Sequence, residues 1–429
     1  MIRMTETKQK SIYPPDYWKR IVFTFFLGWV VIWTYRSMLS PVYGEIQQTI
    51  GPQSNTAMGT IASMYFFGYT ALQIPSGILV DKLGQKKVLI PGFIVFALGV
   101  ASIGFASNIM MIYVGSVLAG IGCGSYYGAA FSMTAEHVPA DKKGVGTAIV
   151  NSGSAVGMIL GMTGSSFVVK TLGMPWQVMT IISAVLIAIL VVWFAVMLIS
   201  PEKEKAAHEA ETEKEEPVET HEAAAEAVES KGSVFRPELL SAYVLYFTTC
   251  YAYYLIVTWL PDFLASERGI EGTMIGFITS MIAVTAIPGA LYFSRQSDKP
   301  GKSKTKIIIL LSLAAFVLIS LSMFAPGEIS LSVILLLYGF LGKMAVDPVL
   351  ISHLSDMADE GKVASTLGIF NFFGMASSVV APVLTGLIID TTGSGEWGFY
   401  IGAFFLIVGT VVFYLGNRNA GTGQLAKEI

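Results

Sequence analysis

GILVDKLGQKK, residues 77–87, sets one aspartate, three lysines and two glycines in a short gap between two long apolar runs, 57–80 and 88–106. Each run is long enough to cross a hydrocarbon layer of about 30 Å, which takes about 20 residues as a helix. A charged, glycine-marked gap of this length is where such a chain turns round at a membrane surface. Working outward with the same criterion gives spans near 21–43, 57–80, 88–106, 108–133, 144–169 and 176–199. After a polar stretch, six more follow near 238–264, 274–294, 305–324, 329–354, 364–389 and 398–416. Composition agrees. Of 429 residues 53% are apolar, only 13% are charged, and mean hydropathy is +0.63, against about 45–50% and about 25% in soluble proteins. The sequence therefore predicts an all-α membrane protein of twelve transmembrane helices in two six-helix bundles.

The expected organisation is a cytoplasmic tail (1–20), a first bundle (21–199), a Glu-rich linker (200–236), a second bundle (237–416) and a short tail (417–429). The linker lacks the apolar surface needed to offset the entropy of ordering. It also explains the net charge of −3: residues 201–236 carry eleven Glu against four Lys and one Arg, so the remainder is positive by three. No nucleic-acid patch is indicated. Cys123 and Cys250 both fall inside apolar runs, which gives neither a disulfide framework nor a CxxC metal spacing. No cofactor or metal is expected. The first apolar run is too long for a secretory signal and has no cleavage site, so it stays as the first span.

Lysine and arginine stay on the cytoplasmic side of a membrane. With the N-terminus inside, 23 of the 27 basic residues fall in cytoplasmic segments, and only Lys170 and Arg268 fall outside. That predicts a multi-pass protein of the inner cell membrane with both termini cytoplasmic. The last two, Arg36 and Lys343, lie within spans.

The halves resemble each other. A shift of 220 residues places Pro41 on Pro261, Gly122 on Gly342, Glu136 on Asp356, Lys142 on Lys362 and Asn151 on Asn371, and sets Cys123 opposite Lys343. Duplication of this kind is common in transporters, whose substrate site lies between the repeats.

Gly77-x-Leu79-x-Asp81-Lys82-x-Gly84-x-Lys86-Lys87 between the second and third spans, with a weaker echo around Asp298 after the eighth, resembles the signature of the major facilitator superfamily over nearly the whole chain. The resemblance implies two bundles around a central cavity lined by spans 1, 4, 7 and 10. It also implies conformational gating through Gly77, Asp81, Lys82, Gly84 and Asp298. GYTALQIPSGILVDKLG, TWLPDFL, NSGSAVG and IFNFFG narrow the resemblance to the anion:cation symporter family, which carries organic anions such as sialic and sugar acids, usually with protons. In TYRSMLSP, Arg36 matches that family's substrate-binding arginine. The family's preceding aspartate is Tyr35 here, and its span-four arginine and glutamate are Ser116 and Cys123.

Read physically, a guanidinium inside a span faces a wet cavity or a partner and can fork onto a carboxylate or phosphate. Trp29, Trp33, Ser40 and Tyr43 share its stripe; Glu45 is the alternative partner. Lys343 has Asp347 one turn later, which makes a salt bridge or an exchangeable pair, with Asp347 the deep acidic candidate for ion coupling. Tyr246, Tyr253 and Tyr254 in span seven and the amides of Gln73, Asn151 and Asn371 are further candidate substrate contacts, although interhelical bonding is the commoner use. Gly153, Gly157 and Gly161 read as a helix-packing stripe, and His353 as interfacial.

The expected function is secondary transport of a small organic anion, a carboxylate or sugar acid, by a monomer using H+ or Na+ as coupling ion. Anion exchange of the organophosphate:phosphate type is the first alternative. A transporter-like sensor signalling through the linker is another. No enzyme site or nucleotide loop is present in the sequence.

Overall fold

The computed structural model describes residues 16–139, 142–199, 233–299, 301–359 and 362–418, with the side chains of Asp81 and Ala364 outside that set. Most of the expected linker, 200–232, and the outer parts of both tails lie outside the described residues.

Sixteen α-helices follow in chain order among the described residues. The first half holds α1 (Tyr17–Met38), α2 (Tyr43–Ile50), α3 (Asn55–Leu83), α4 (Gln85–Gly104), α5 (Ile109–Cys123), α6 (Tyr126–His137), α7 (Lys143–Ser165) and α8 (Gln177–Met197). The second holds α9 (Pro237–Ser266), α10 (Met274–Val284), α11 (Ala286–Ser297), α12 (Lys304–Met323), α13 (Glu328–Leu341), α14 (Lys343–Met357), α15 (Val363–Thr392) and α16 (Gly395–Asn417). Helices are obligatory for such sequences, because hydrocarbon offers no partner to a free peptide group. Their ends carry ordinary stop and start signals. The Ser54, Asn108 and Ser303 side chains accept from backbone N–H groups at the starts of α3, α5 and α12. Gly84, at φ 85°, makes the tight turn between α3 and α4.

Pairs of these helices stack end to end, so the expected twelve spans are all found, but four are broken where a single rod was expected. Span one bends through a 3-10 turn at Ser40–Val42, which contains Pro41, and span eight breaks at Thr285. Spans four and ten break next to Gly122 and Gly342, the positions related by the 220-residue shift. Pro261 departs from that symmetry, since it lies inside the continuous α9 while its counterpart Pro41 interrupts a helix. Among the described residues eleven spans are long and apolar enough to cross a bilayer. The remaining one, α3, has 29 residues, and its apolar character is diluted by Gln73, Pro75 and the three glycines at 59, 68 and 77.

The two halves meet along α3 with α15 and along α7 with α10. We call the end bearing residues 51–54, 267–273 and 393–394 the far face, and the end bearing residues 16–20 the near face. Contacts crowd toward the far face. Asp390 of α15 accepts four hydrogen bonds at the first turn of α3, from Asn55 N (2.8 Å), Asn55 Nδ2 (2.9 Å), Thr56 N (2.8 Å) and Thr56 Oγ1 (2.6 Å). Further along, Ser63 Oγ donates to the Val379 carbonyl (2.6 Å), and Asn371 Nδ2 donates to Gln73 Oε1 (3.3 Å). Beyond that pair the helices part, and a Cβ at Gly77 or Gly368 would meet nothing within 4 Å. Likewise Gly276 of α10 sits on the Met162 carbonyl of α7, while Val145, Ile149 and Asn151 at the other end of α7 are exposed. The molecule is closed at the far face and split toward the near face.

Candidate functional site

Arg36 lies on α1 at the inner end of that split. Its Nε donates to Tyr65 Oη at 2.8 Å. Its guanidinium carbon is 4.5 Å from the ring centroid of Tyr69 and 5.3–5.6 Å from those of Trp29, Trp33, Tyr65 and Phe66. Five π-faces hold the charge. Among the described residues no carboxylate lies within ion-pair distance of it, and its Nη2 is buried without a hydrogen-bond partner. The indole Nε1 of Trp29 is a second buried donor left unpaired beside it. A buried unpaired donor costs about 1–3 kcal/mol, and more when charged, so the site gains from any acceptor that enters. The Glu45 alternative is excluded by geometry, because Glu45 Oε1 takes Lys170 Nζ at 2.7 Å at the far face.

Lys343 starts α14 just after the Gly342 break. It pairs with Asp347 one turn on, both side chains being largely buried at 10% and 19% exposure. Its ammonium also lies 5.4 Å from the Tyr246 ring and 5.6 Å from the Tyr253 ring. Only one carboxylate oxygen of Asp347 is used; Oδ1 is buried without a partner. Trp33 and Tyr253 join the two cations, their rings edge to face at 6.3 Å, and a parallel route runs through Phe66 and Tyr254 at 4.8 Å. One cation thus comes from each half, with an aromatic layer between them. The site is not symmetric: Cys123, the counterpart of Lys343, is a fully buried free thiol.

The remaining candidates scatter along the split. Tyr246 stacks on Phe370 with centroids 3.7 Å apart. Gln73 and Asn371 bond to each other across the halves, while Asn151 is exposed on α7, two turns from Met158, whose sulfur accepts from Tyr253 Oη at 3.4 Å. Tyr43 is buried against Trp259 at 5.9 Å, on the far side of a small cavity of about 30 Å³ that it shares with Arg36, Ser40, Ala62 and Thr258. Ser40 there donates to the Val257 carbonyl at 2.9 Å, another tie between the halves. Of the near-face motif, Gly77 is half-buried, Lys82 is exposed, Gly84 forms the turn, and the Asp81 side chain lies outside the described residues. Asp298 is exposed at the end of α11. Gly153, Gly157 and Gly161 press on the α1 carbonyls of Phe26, Val30 and Thr34, which is helix packing. His353 is buried, within reach of Asn417 Oδ1 at 3.2 Å. Sequence reading passed over Tyr65, Phe66 and Tyr69. Their only signal is the i, i+4 tyrosine pair in MYFFGYT.

The profile of the Major Facilitator Superfamily matches residues 24–378, with a second match over 242–428. The chain belongs to the Major Facilitator Superfamily. It is accordingly a multi-pass membrane transporter and not an enzyme. Among its relatives, it is 25% identical to the hexuronate transporter of Bacillus subtilis (strain 168) over 417 residues, covering 92% of each chain. It is 24% identical to a putative tartrate transporter of Agrobacterium vitis, covering 86% of each. These relatives accord with the sugar-acid branch of the family read from the spans. Among solved structures, a bacterial homologue of the human lysosomal transporter Spinster, described as inward-facing and occupied, superposes with a TM-score of 0.76 at 13% identity, covering 95% of this chain and 98% of that one. That likeness establishes the fold.

Proposed function

We propose that the chain carries a small organic anion, a carboxylate or sugar acid, across the inner cell membrane by alternating access, in ion-coupled uptake. The observation that carries this reading is the caged guanidinium of Arg36 with a buried, unpaired Nη2. A cation kept in a wall of aromatic rings without a fixed counter-charge has its counter-charge in the cargo. The near face, which holds most of the lysines and arginines, is the cytoplasmic one, so this conformer is open to the cytoplasm and sealed outside by Asp390 on the first turn of α3.

Arg36 receives the carboxylate, the Trp33–Tyr253 layer holds the carbon skeleton, and the free amide of Asn151 together with the Gln73–Asn371 pair serves hydroxyls in the vestibule. Lys343 supplies the second positive contact once Asp347 releases it. Protonation of Asp347 frees Lys343, which couples ion and anion at one site; H+ suits this pair better than Na+, since the same lysine blocks a metal ion. The relatives named for hexuronate and tartrate support a hydroxylated acid as cargo. In the opposite conformer, Gly77, Asp81, Lys82, Gly84 and Asp298 would close the cytoplasmic face. Counterflow in proteoliposomes tests the reading. Labelled galacturonate should accumulate only with an inward proton gradient; accumulation that needs an internal anion and ignores the gradient would identify an exchanger.

A further inference from the structure

At the near face the beginnings of α9 and α12 and the ends of α14 and α16 enclose a groove of about 720 Å³, remote from Arg36 and Lys343. Five cations line it, Arg236, Lys302, Lys304, Lys306 and Arg418, against the carboxylates of Glu238 and Asp356. Two of the five are engaged. Lys304 pairs with Asp356 at 2.5 Å and bonds Ser352 Oγ at 2.7 Å. Arg236 lies 3.6 Å from Asp359 and donates to the Met357 carbonyl, which leaves its buried Nε unpaired. Lys302, Lys306 and Arg418 are exposed, with no side-chain hydrogen bond or ion pair among the described residues.

The internal repeat shows what is unusual here. The 220-residue shift places Lys86 on Lys306 and Leu198 on Arg418. In the first half, Lys86 Nζ donates to the carbonyls of Ala195 (2.6 Å) and Leu198 (2.8 Å), a cation satisfied by the negative end of a helix. In the second half a guanidinium stands at the Leu198 position, and Lys306 shares its groove with that like charge and makes no such cap. Behind both lies the positive end of α12, capped by Ser303 and without an acidic residue in its first turn. Like charges converging on one groove call for an anion.

We infer that this groove binds the phosphate headgroup of an anionic membrane lipid. Leu310, Tyr414 and Leu415, on the same two helix ends, are exposed. They offer the acyl chains an apolar wall with a tyrosine at headgroup depth, where amphipathic rings settle. A basic pocket between helices at the cytoplasmic surface is the chemistry that retains acidic headgroups, whereas a free phosphate ion would leave this wall unused.

The test is the thermal unfolding midpoint of the full chain in neutral detergent micelles, titrated with phosphatidylglycerol, phosphatidylcholine or sodium phosphate. Phosphatidylglycerol should raise the midpoint saturably at low mole fraction. Each basic residue near an anionic lipid surface contributes about a five-fold gain in binding, so K306Q should need about five times more lipid, and the K306Q/R418Q pair about thirty times more. K86Q, which removes the capped counterpart, should leave the lipid titration unchanged even if it lowers the starting midpoint. Equal responses to phosphatidylcholine, or an unchanged titration in K306Q, would overturn the proposal. A full response to millimolar phosphate alone would assign the groove to the free ion and overturn the lipid assignment.

Discussion

Replacing Asp390 by alanine should unlatch the far face. This one carboxylate accepts all four hydrogen bonds from Asn55 and Thr56 and thereby caps α3 from the opposite half. A helix cap contributes about 1 kcal/mol, and a negative charge at the positive end of a helix a further 0.3–1 kcal/mol or so. The group is exposed, so screening keeps the total toward the low side, about 1–2 kcal/mol. Because those contacts exist only while the halves touch at the far face, their loss should shift the closed–open equilibrium by about 5- to 30-fold. The shift is measurable with a cysteine at Ala62, which lines the small cavity beside Arg36, in a background where Cys123 and Cys250 are alanine. Membrane-impermeant maleimide applied to the outer face should label this cysteine about 5- to 30-fold faster in Asp390→Ala than in its parent, and to an intermediate degree in Asp390→Asn. An unchanged rate would refute both the latch and the assignment of the far face to the outside.

Other outcomes follow from the same geometry. Lys343→Ala or Asp347→Ala alone strands a buried charge, at a cost of about 3–5 kcal/mol; the double variant should unfold at a higher temperature than either single one, and additive losses would contradict the pairing. Asp347→Asn should abolish accumulation driven by a pH gradient while sparing counterflow, so preserved accumulation would remove Asp347 from coupling. Gly157→Leu drives a side chain into the Val30 carbonyl of α1, whereas Gly144→Ala enters open space. The first should yield little folded protein by size-exclusion chromatography, and the second should match the parent or gain up to about 1 kcal/mol.

Arg36 and Lys343 were legible because a charge inside an apolar run is costly enough to stand out from any background. The same contrast hid their surroundings. Tyr65, Phe66 and Tyr69 sit in a run where aromatic residues serve lipid and core equally well, and only the fold turns them toward Arg36. Glu45, nine residues and about two and a half turns along from Arg36, is a poor partner by spacing, and Lys170, 125 positions away, takes it instead. The Asp390 cap joins residues more than 330 positions apart and has no local signature. The helix breaks at Gly122 and Gly342 were visible as matched glycines, though not as breaks, since glycine in a membrane helix equally allows close packing.

The central claim is that Arg36 is charged and caged to meet an anion. A thermal-shift screen of small carboxylates and phosphates on the parent and on Arg36→Ala measures this directly. Hydroxylated carboxylates such as galacturonate or tartrate should stabilise the parent and leave Arg36→Ala unmoved. A variant that responds to the same ligands as its parent would show that the guanidinium does not hold the cargo.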